Sequence, residues 1–272
     1  MNHIRGDYFL INGSPELSKN FDSKCKDLQF NVYEVIRIIG GIPLFGEEHF
    51  RRMENSLQLL QKQTTVSFQE FDSQLKLLAE KNNFSDGNVK VSLGVQAKNV
   101  VMFFIPHYYP TEKEYKNGVK TGFYNAERTN PNAKTYMVQL RANVNSYLTE
   151  TKYFEVFYTD RNGFVTEGSR SNVFFIREGK VYTCTSEKVL LGVTRQKTIE
   201  CLKNLNIPLI ETMIPKEGTA SFESVFLTGT SPKILPVASI DNQQYSCNNN
   251  TMRQIMKEYD RMISKYLQTK QA

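Results

Sequence analysis

Apolar residues change their period several times along the chain, and each change marks an element. Between residues 29 and 45, β-branched and aromatic residues alternate with polar ones, as in Val32-Tyr33-Glu34-Val35-Ile36-Arg37-Ile38-Ile39. Gly40-Gly41 interrupts the run before Ile42-Pro43-Leu44-Phe45. Strand character on both sides of a Gly-Gly pair predicts two short strands joined by a tight turn. From Glu47 the period lengthens, and Phe50, Met53, Leu57 and Leu60 fall at helical spacing. A second amphipathic helix is predicted over 67–83, with Phe68, Phe71, Leu75 and Leu78 on one face. Residues 89–95 and 100–105 read as another strand pair.

Pro106 to Glu114 breaks this pattern with two prolines followed by charge. Proline removes a donor and restricts the residue before it, so this stretch reads as a linker. The expected division is a small N-terminal α/β domain over 1–109, a linker over 110–118 and a larger C-terminal domain over 119–272. Within the latter, helices are predicted over 133–148, 193–205 and 251–268. Strands are predicted over 154–159, 163–166, 172–176, 180–183 and 225–227. Irregular alternation with much antiparallel pairing makes the fold class α+β, in two domains.

Composition narrows the function classes. The chain has 272 residues, 40% hydrophobic and 23% charged, ordinary for a globular protein with a substantial core. No apolar run approaches the ~20 residues that cross a bilayer, and the first residues lack the apolar core of a signal peptide. A cytoplasmic location is expected, with no membrane contact. Cys25, Cys184, Cys201 and Cys247 form no Cys-x-x-Cys pair, and the three histidines lie nowhere near them at zinc-ligand spacing, so neither a disulfide framework nor a metal site is expected. The net charge of +6 comes from 34 basic residues with 28 acidic ones scattered among them. Without a basic run this reads as a solvated surface, and nucleic acid is not an expected partner. Phosphate loops, dinucleotide fingerprints and nucleophile elbows are also absent. Chemistry would have to rest on Lys, carboxylates, hydroxyls or a cofactor.

Four segments stand out together. They are Glu47-Glu48-His49-Phe50-Arg51-Arg52-Met53 on the first helix, and Asn132-Ala133-Lys134, read as opening a helix. Then come Thr166-Glu167-Gly168-Ser169-Arg170-Ser171-Asn172-Val173-Phe174 and Leu190-Leu191-Gly192-Val193-Thr194-Arg195, with Leu227-Thr228-Gly229-Thr230-Ser231 downstream. Singly, each has a bland reading as a surface charge, a core leucine or a helix start. In order and spacing over about residues 30–240, they resemble the class IV (fold type IV) pyridoxal-phosphate (PLP) enzymes: branched-chain aminotransferases, D-amino-acid aminotransferases and aminodeoxychorismate lyases.

The resemblance implies a larger C-terminal mixed-sheet, pseudo-barrel domain that binds pyridoxal 5'-phosphate, and a homodimer. It implies Lys134 as the residue carrying the cofactor as a Schiff base. Glu167 matches the carboxylate beside the pyridine nitrogen, which favours the pyridinium by charge pairing. Val193 and Thr194, at a helix N-terminus, match the phosphate site, because free N–H groups and the helix dipole attract anions. Thr230 matches a second phosphate-binding turn, Arg52 the phosphate arginine, and Leu190 the apolar residue on the ring face. Tyr33 matches a substrate-side position. The implied activity is amino transfer between an amino acid and a 2-oxo acid. The alternatives are pyruvate elimination by a 4-amino-4-deoxychorismate lyase, and a non-catalytic member of the fold. The chain departs from the pattern in the lead into the Tyr33 strand, Leu28-Gln29-Phe30-Asn31-Val32, in the continuation of the phosphate turn, Ser231-Pro232-Lys233, and where several family members have an arginine for the substrate carboxylate; there it reads Gly94-Val95-Gln96-Ala97-Lys98, with Gln96 and Lys98 as the candidate substitutes.

Overall fold

The computed structural model describes residues 4–64, 66–94 and 99–271; Gln96 and Lys98 lie outside them. Contacts group the chain into two compact units. The first holds the chain up to Tyr108, Ala133–Tyr136 and the residues from Ile263 on; the second holds Tyr109–Asn132 and Met137–Met262. Residues 133–136 and those from 263 on fall in the stretch expected as one C-terminal domain, and group instead with the first unit. Backbone bonding explains the first case: Tyr33 N–H donates to the Lys134 carbonyl and Tyr136 N–H to the Asn31 carbonyl.

The first unit is built on strands β1 (Arg5–Ile11), β2 (Ser14–Leu17), β3 (Phe30–Ile39), β4 (Ile42–Pro43), β5 (Gly87–Gly94) and β6 (Val100–Ile105). Its helices are α1 (Phe21–Cys25), α2 (Gly46–Leu59) and α3 (Phe68–Lys81). The sheet order is β2-β1-β6-β5-β3-β4, antiparallel throughout. Gly40 and Gly41 join β3 to β4 with φ of 56° and 77°. A Cβ at either would meet nothing, so it is the left-handed backbone that calls for glycine there. Ser67 and Glu70 start α3 with a reciprocal capping box, which satisfies two otherwise orphaned N–H groups. Phe50, Met53 and Leu57 of α2 and Phe71, Leu75 and Leu78 of α3 pack with Val32 and Ile36 of β3 and Val89 and Val91 of β5. Each such side chain contributes about 1.5–3 kcal/mol by burial.

Alternation along β3 points Val32, Glu34, Ile36 and Ile38 into that core. Glu34 is the exception in kind: a carboxylate with no solvent exposure. It is matched from α2. Arg52 Nε donates to its Oε1 at 2.8 Å, Arg52 Nη2 donates to Oε2 at 2.5 Å, and His49 Nδ1 lies 2.9 Å from Oε2. Burial opposes ionisation of Glu34, but the Arg52 charge and these bonds outweigh it and hold the carboxyl down at about 2.

The second unit takes the rest. Its strands are β7 (Val119–Asn125), β8 (Glu155–Thr159), β9 (Phe164–Gly168), β10 (Asn172–Arg177), β11 (Lys180–Thr183), β12 (Leu209–Glu211), β13 (Ile214–Pro215), β14 (Ser224–Gly229), β15 (Lys233–Ile240) and β16 (Gln243–Gln244). Its helices are α4 (Glu112–Asn117), α5 (Val138–Thr151), α6 (Val193–Asn204) and most of α7 (Asn250–Gln271). One mixed sheet runs β12-β11-β10-β14-β15-β7-β8-β9-β13, with β16 on β15. Its two edges, β12 and β13, are separated in sequence only by Thr212 and Met213. A sheet whose outermost strands are joined so closely must curl until its edges meet, which is the pseudo-barrel expected from the sequence.

Two sequence expectations are corrected. Residues 110–118, read as linker, contain α4, which starts with a Thr111–Glu114 capping box. The helix read over 133–148 begins only at Val138; before it, residues 133–136 run extended, with Thr135 bridged to Val32. Pairing to β3 captures those backbone groups and postpones the helix. Strands β1, β7 and β15 were not anticipated. Among the described residues, no helix is long and apolar enough to cross a membrane.

Glu34→Gln leaves the Arg52 guanidinium buried without its counter-ion and is expected to cost about 3–5 kcal/mol, read as a lower urea midpoint at pH 7. Both Glu34 and His49 have folded values below their usual ones, His49 chiefly by burial. Their contributions are therefore present at neutral pH. That of His49 is lost as pH falls below about 6.5, and that of Glu34 only as pH falls below the carboxylate range towards 2. Wild-type midpoints should decline on passing from pH 7 to pH 5.

Candidate active site

In the first unit, Lys134 is fixed by its backbone rather than by a helix. Its N–H donates to Ser56 Oγ at 3.0 Å, and its carbonyl accepts from Tyr33. Ser56 Oγ in turn donates to the Arg52 carbonyl at 2.8 Å. The half-buried Lys134 side chain places Nζ 4.8 Å from the centroid of the Tyr33 ring, a cation–π distance. Its charge also helps to keep His49 below the usual imidazole range, after burial and alongside Arg52. Arg52, buried at 7% exposure, spends Nε and Nη2 on Glu34, leaving Nη1 outside that pair. Tyr33, Arg52 and Lys134 are thus brought together. Glu34 and His49 complete the cluster and were missed as functional residues. The signal was present: a carboxylate in the inward register of an otherwise apolar strand, facing His49 and Arg52 three residues apart on one helix.

In the second unit, Glu167 lies near the end of β9 and is buried at 3% exposure. Its Oε2 accepts from the Leu190 N–H at 3.0 Å, and Arg128 Nη1 stands 3.6 Å from Oε1. Its charge adds to burial in pushing the Cys184 thiol up to about 11. The Leu190 carbonyl accepts from Asn172 Nδ2 at 2.9 Å, so Leu190 is clamped at both backbone groups. Asn172 also explains Gly192: a Cβ there would stand 2.3 Å from Asn172 Oδ1. Gly192 is the N-cap of α6 and carries no side-chain cap, and the first turn holds no acidic residue. The N–H groups of Val193 and Thr194 are left for another acceptor, and the dipole favours an anion. Thr230 lies on the turn between β14 and β15, two residues beyond Thr228, which pairs with Asn172. Arg195, the last residue of the Leu-x-Gly-Val-Thr-Arg run, is turned to Glu211 and Ser186 and is structural.

The turn after Glu167 is held by one carboxylate. Glu155, on β8, accepts at Oε1 from Ser169 N–H (3.1 Å) and Ser169 Oγ (2.6 Å). At Oε2 it accepts from Arg170 N–H and Ser171 Oγ, both at 3.0 Å. Its own chain adds Val156 N–H at 2.9 Å. A Cβ on Gly168 would collide with Ser171 Oγ at 2.0 Å, so this wrapping requires glycine beside Glu167. Sequence reasoning passed over Glu155, which shows there only as an acid opening a strand.

The units carry, separately, an amine set on an aromatic ring beside a fixed guanidinium, and a buried carboxylate beside an uncapped helix start. Groups of these kinds can anchor and orient a small-molecule cofactor. Comparison with known proteins agrees. The family model for amino-transferase class IV matches residues 31–240. The D-alanine aminotransferase of Bacillus licheniformis is 30% identical over 238 residues, covering 82% of this chain and 83% of that one. The branched-chain-amino-acid aminotransferase of Escherichia coli K12 is 24% identical over 270 residues, covering 88% and 87%. Among solved structures, the T.th. branched-chain amino acid aminotransferase with pyridoxamine 5'-phosphate superposes with a TM-score of 0.82 at 20% identity, over 96% of this chain and 95% of that one. The chain belongs to the class IV aminotransferases. It has the fold type IV architecture, and it is a PLP-dependent transaminase.

Glu155→Gln turns an NH₂ towards some of the donors that the carboxylate now accepts. Leaving buried donors unsatisfied costs about 1–3 kcal/mol, so thermal unfolding should shift down; an unchanged midpoint would remove Glu155 as the organiser of the turn.

Proposed function

We propose that this chain transfers amino groups between a hydrophobic or D-amino acid and a 2-oxo acid, as the branched-chain and D-alanine enzymes do by name, with Lys134 as the residue that carries PLP. The observation that carries this reading is the pinning of Lys134 between Ser56 and Tyr33. An amine destined for covalent and proton-transfer work needs a fixed backbone and a side chain long enough to move Nζ about it, and this arrangement supplies both.

The residues present fit the cofactor. The uncapped start of α6 at Val193 and Thr194, with no acidic side chain in its first turn, suits a phosphate dianion. Thr230 and the Arg52 nitrogen left outside the Glu34 pair would add donors. Leu190, clamped through both backbone groups, would present its side chain to the ring, and Glu167 would hold the pyridine nitrogen in its protonated form. PLP, when bound, supplies an aldehyde carbon that takes an amine and a ring that draws electrons. Lys134 Nζ supplies the base that moves the proton from the substrate α-carbon. Tyr33, under the same amine, orients it and shields it from water.

A homodimer is part of this reading. Helix α5 buries Val144 and leaves Val138 74% exposed, and a second copy would cover that surface. A cytoplasmic enzyme acting on small amino and oxo acids, independent of nucleic acid, is the setting. The test is spectroscopic. Holoenzyme mixed with an amino donor and no acceptor should lose its visible PLP absorbance and yield one equivalent of 2-oxo acid. Pyruvate released over many turnovers from aminodeoxychorismate would favour the lyase instead, and no change with a broad donor panel would contradict both.

A further inference from the structure

The face of the first unit's sheet that turns away from the α2–α3 core carries a cavity of about 480 Å³. Phe21, Phe30 and Phe103 give it apolar walls, and its polar groups are Lys90, Ser92 and Tyr136. Register sets Ser92 on β5 directly opposite Tyr33 on β3. Residues 133–136 run extended along β3, so Lys134 and Tyr136, two apart, share one side of that stretch. Both reach the Tyr33 ring: Lys134 Nζ is 4.8 Å from its centroid, and the centroid of the Tyr136 ring is 4.7 Å from it.

The Tyr136 side chain is set from three directions. Its ring lies against Tyr33, Lys90 Nζ stands 4.4 Å from its centroid, and its Oη shares a hydrogen bond of 2.7 Å with Ser92 Oγ. Lys90 also lies 5.0 Å from the Tyr33 centroid and is engaged in holding the aromatic pair. Burial fixes the direction of the Ser92–Tyr136 bond. Ser92 is 1% exposed, and Tyr136 Oη is the one hydrogen-bond partner of its hydroxyl among the described residues. A buried O–H without an acceptor is costly, so Ser92 donates and Tyr136 accepts. Each hydroxyl has one proton to give, and that of the half-buried Tyr136 is left for a group in the cavity it lines. A hydroxyl that already accepts a bond is the stronger donor. Burial also raises the Tyr136 phenol above its usual range, so at neutral pH it keeps the proton it offers.

Resting on the transaminase reading above, we propose that the Tyr136 hydroxyl, backed by Ser92, binds the carboxylate of the amino-acid and 2-oxo-acid substrates. The two partners of an amino exchange differ in their side chains. The carboxylate is the acceptor that both bring, and it is attached to the carbon whose nitrogen or oxygen is exchanged. A donor fixed two residues from Lys134, on the same aromatic ring, is placed to serve either partner. Hydrogen bonds to an ionised acceptor are the stronger kind, and apolar walls that exclude water strengthen them further. Ser92 acts through Tyr136 and is a positioning residue.

The experiment is isothermal titration of the holoenzyme with two unreactive probes of one shape, 4-methylpentanoate and 4-methylpentanamide. Wild-type protein should bind the acid about fivefold or more tighter than the amide. Tyr136→Phe should weaken the acid by about tenfold to a hundredfold and the amide by a much smaller factor. Ser92→Ala should weaken the acid by about twofold to tenfold, and Ser92→Thr, which keeps the hydroxyl, should restore it. In the Tyr136→Phe background Ser92→Ala should add little, because the two act as one unit. Equal binding of acid and amide by the wild type, or of the acid by wild type and Tyr136→Phe, overturns the proposal. So do equal losses for the two probes in Tyr136→Phe. An acid affinity unmoved by Ser92→Ala also overturns it, and that comparison stands even if Tyr136→Phe does not fold. Failure of the transaminase reading looks different: no donor converts the cofactor, whatever the probes do.

Discussion

A buried carboxylate fixes the geometry of the first unit. Glu34 sits in the inward register of β3 with Val32, Ile36 and Ile38, and ionised it can remain there only with charge and hydrogen bonds supplied to it. Arg52 and His49 supply them, three residues apart on α2. Isolated, either charge would cost several kcal/mol; together they hold α2 in register on β3. That register decides where Ser56 falls, one turn beyond Arg52, and Ser56 receives the Lys134 N–H. The Lys134 backbone is thus positioned through an ion pair, a helix and one hydroxyl. The same ion pair turns the Arg52 guanidinium and leaves Nη1 outside the pair.

The second unit repeats the device with different partners. Glu155 is buried and is balanced by backbone and hydroxyl donors from Ser169, Arg170 and Ser171. It closes the turn that begins at Glu167 and ends at Asn172. Asn172 then holds Leu190, and its amide oxygen occupies the space that a side chain on Gly192 would need. From one carboxylate the order passes through a turn, an amide and a glycine to the start of α6. The glycines at 168 and 192 are required by close approach, not by unusual backbone angles.

Much of this was legible in the sequence because the periods were clean. The Gly40-Gly41 turn, α2, α3, α6 and the strands flanking Glu167 fall where alternation and helical spacing put them. What was not legible depended on distant partners. Residues 133–136 look helical in isolation, yet β3 captures them, which no local pattern reveals. Strand β15 was hidden by Pro236, a residue that argues against an interior strand. It is tolerated because β7 pairing begins only at Val237, so position 236 has a neighbour on one side alone. Strand β1 was hidden by Gly6 and by the charges of Arg5 and Asp7. At the candidate site, Glu34, Ser56 and Glu155 lie outside the segments that stand out in the sequence, and His49 lies inside one of them with no role read for it.

The proposed function singles out Lys134 among the lysines of the chain, including Lys90, which shares the Tyr33 ring with it. Borohydride reduction of the PLP-loaded protein, followed by proteolysis and mass spectrometry of the peptides, tests that selection most directly. One phosphopyridoxyl group per chain is expected, on the peptide containing Lys134. Stoichiometric label on Lys90 or another lysine, or no label at all, would contradict it.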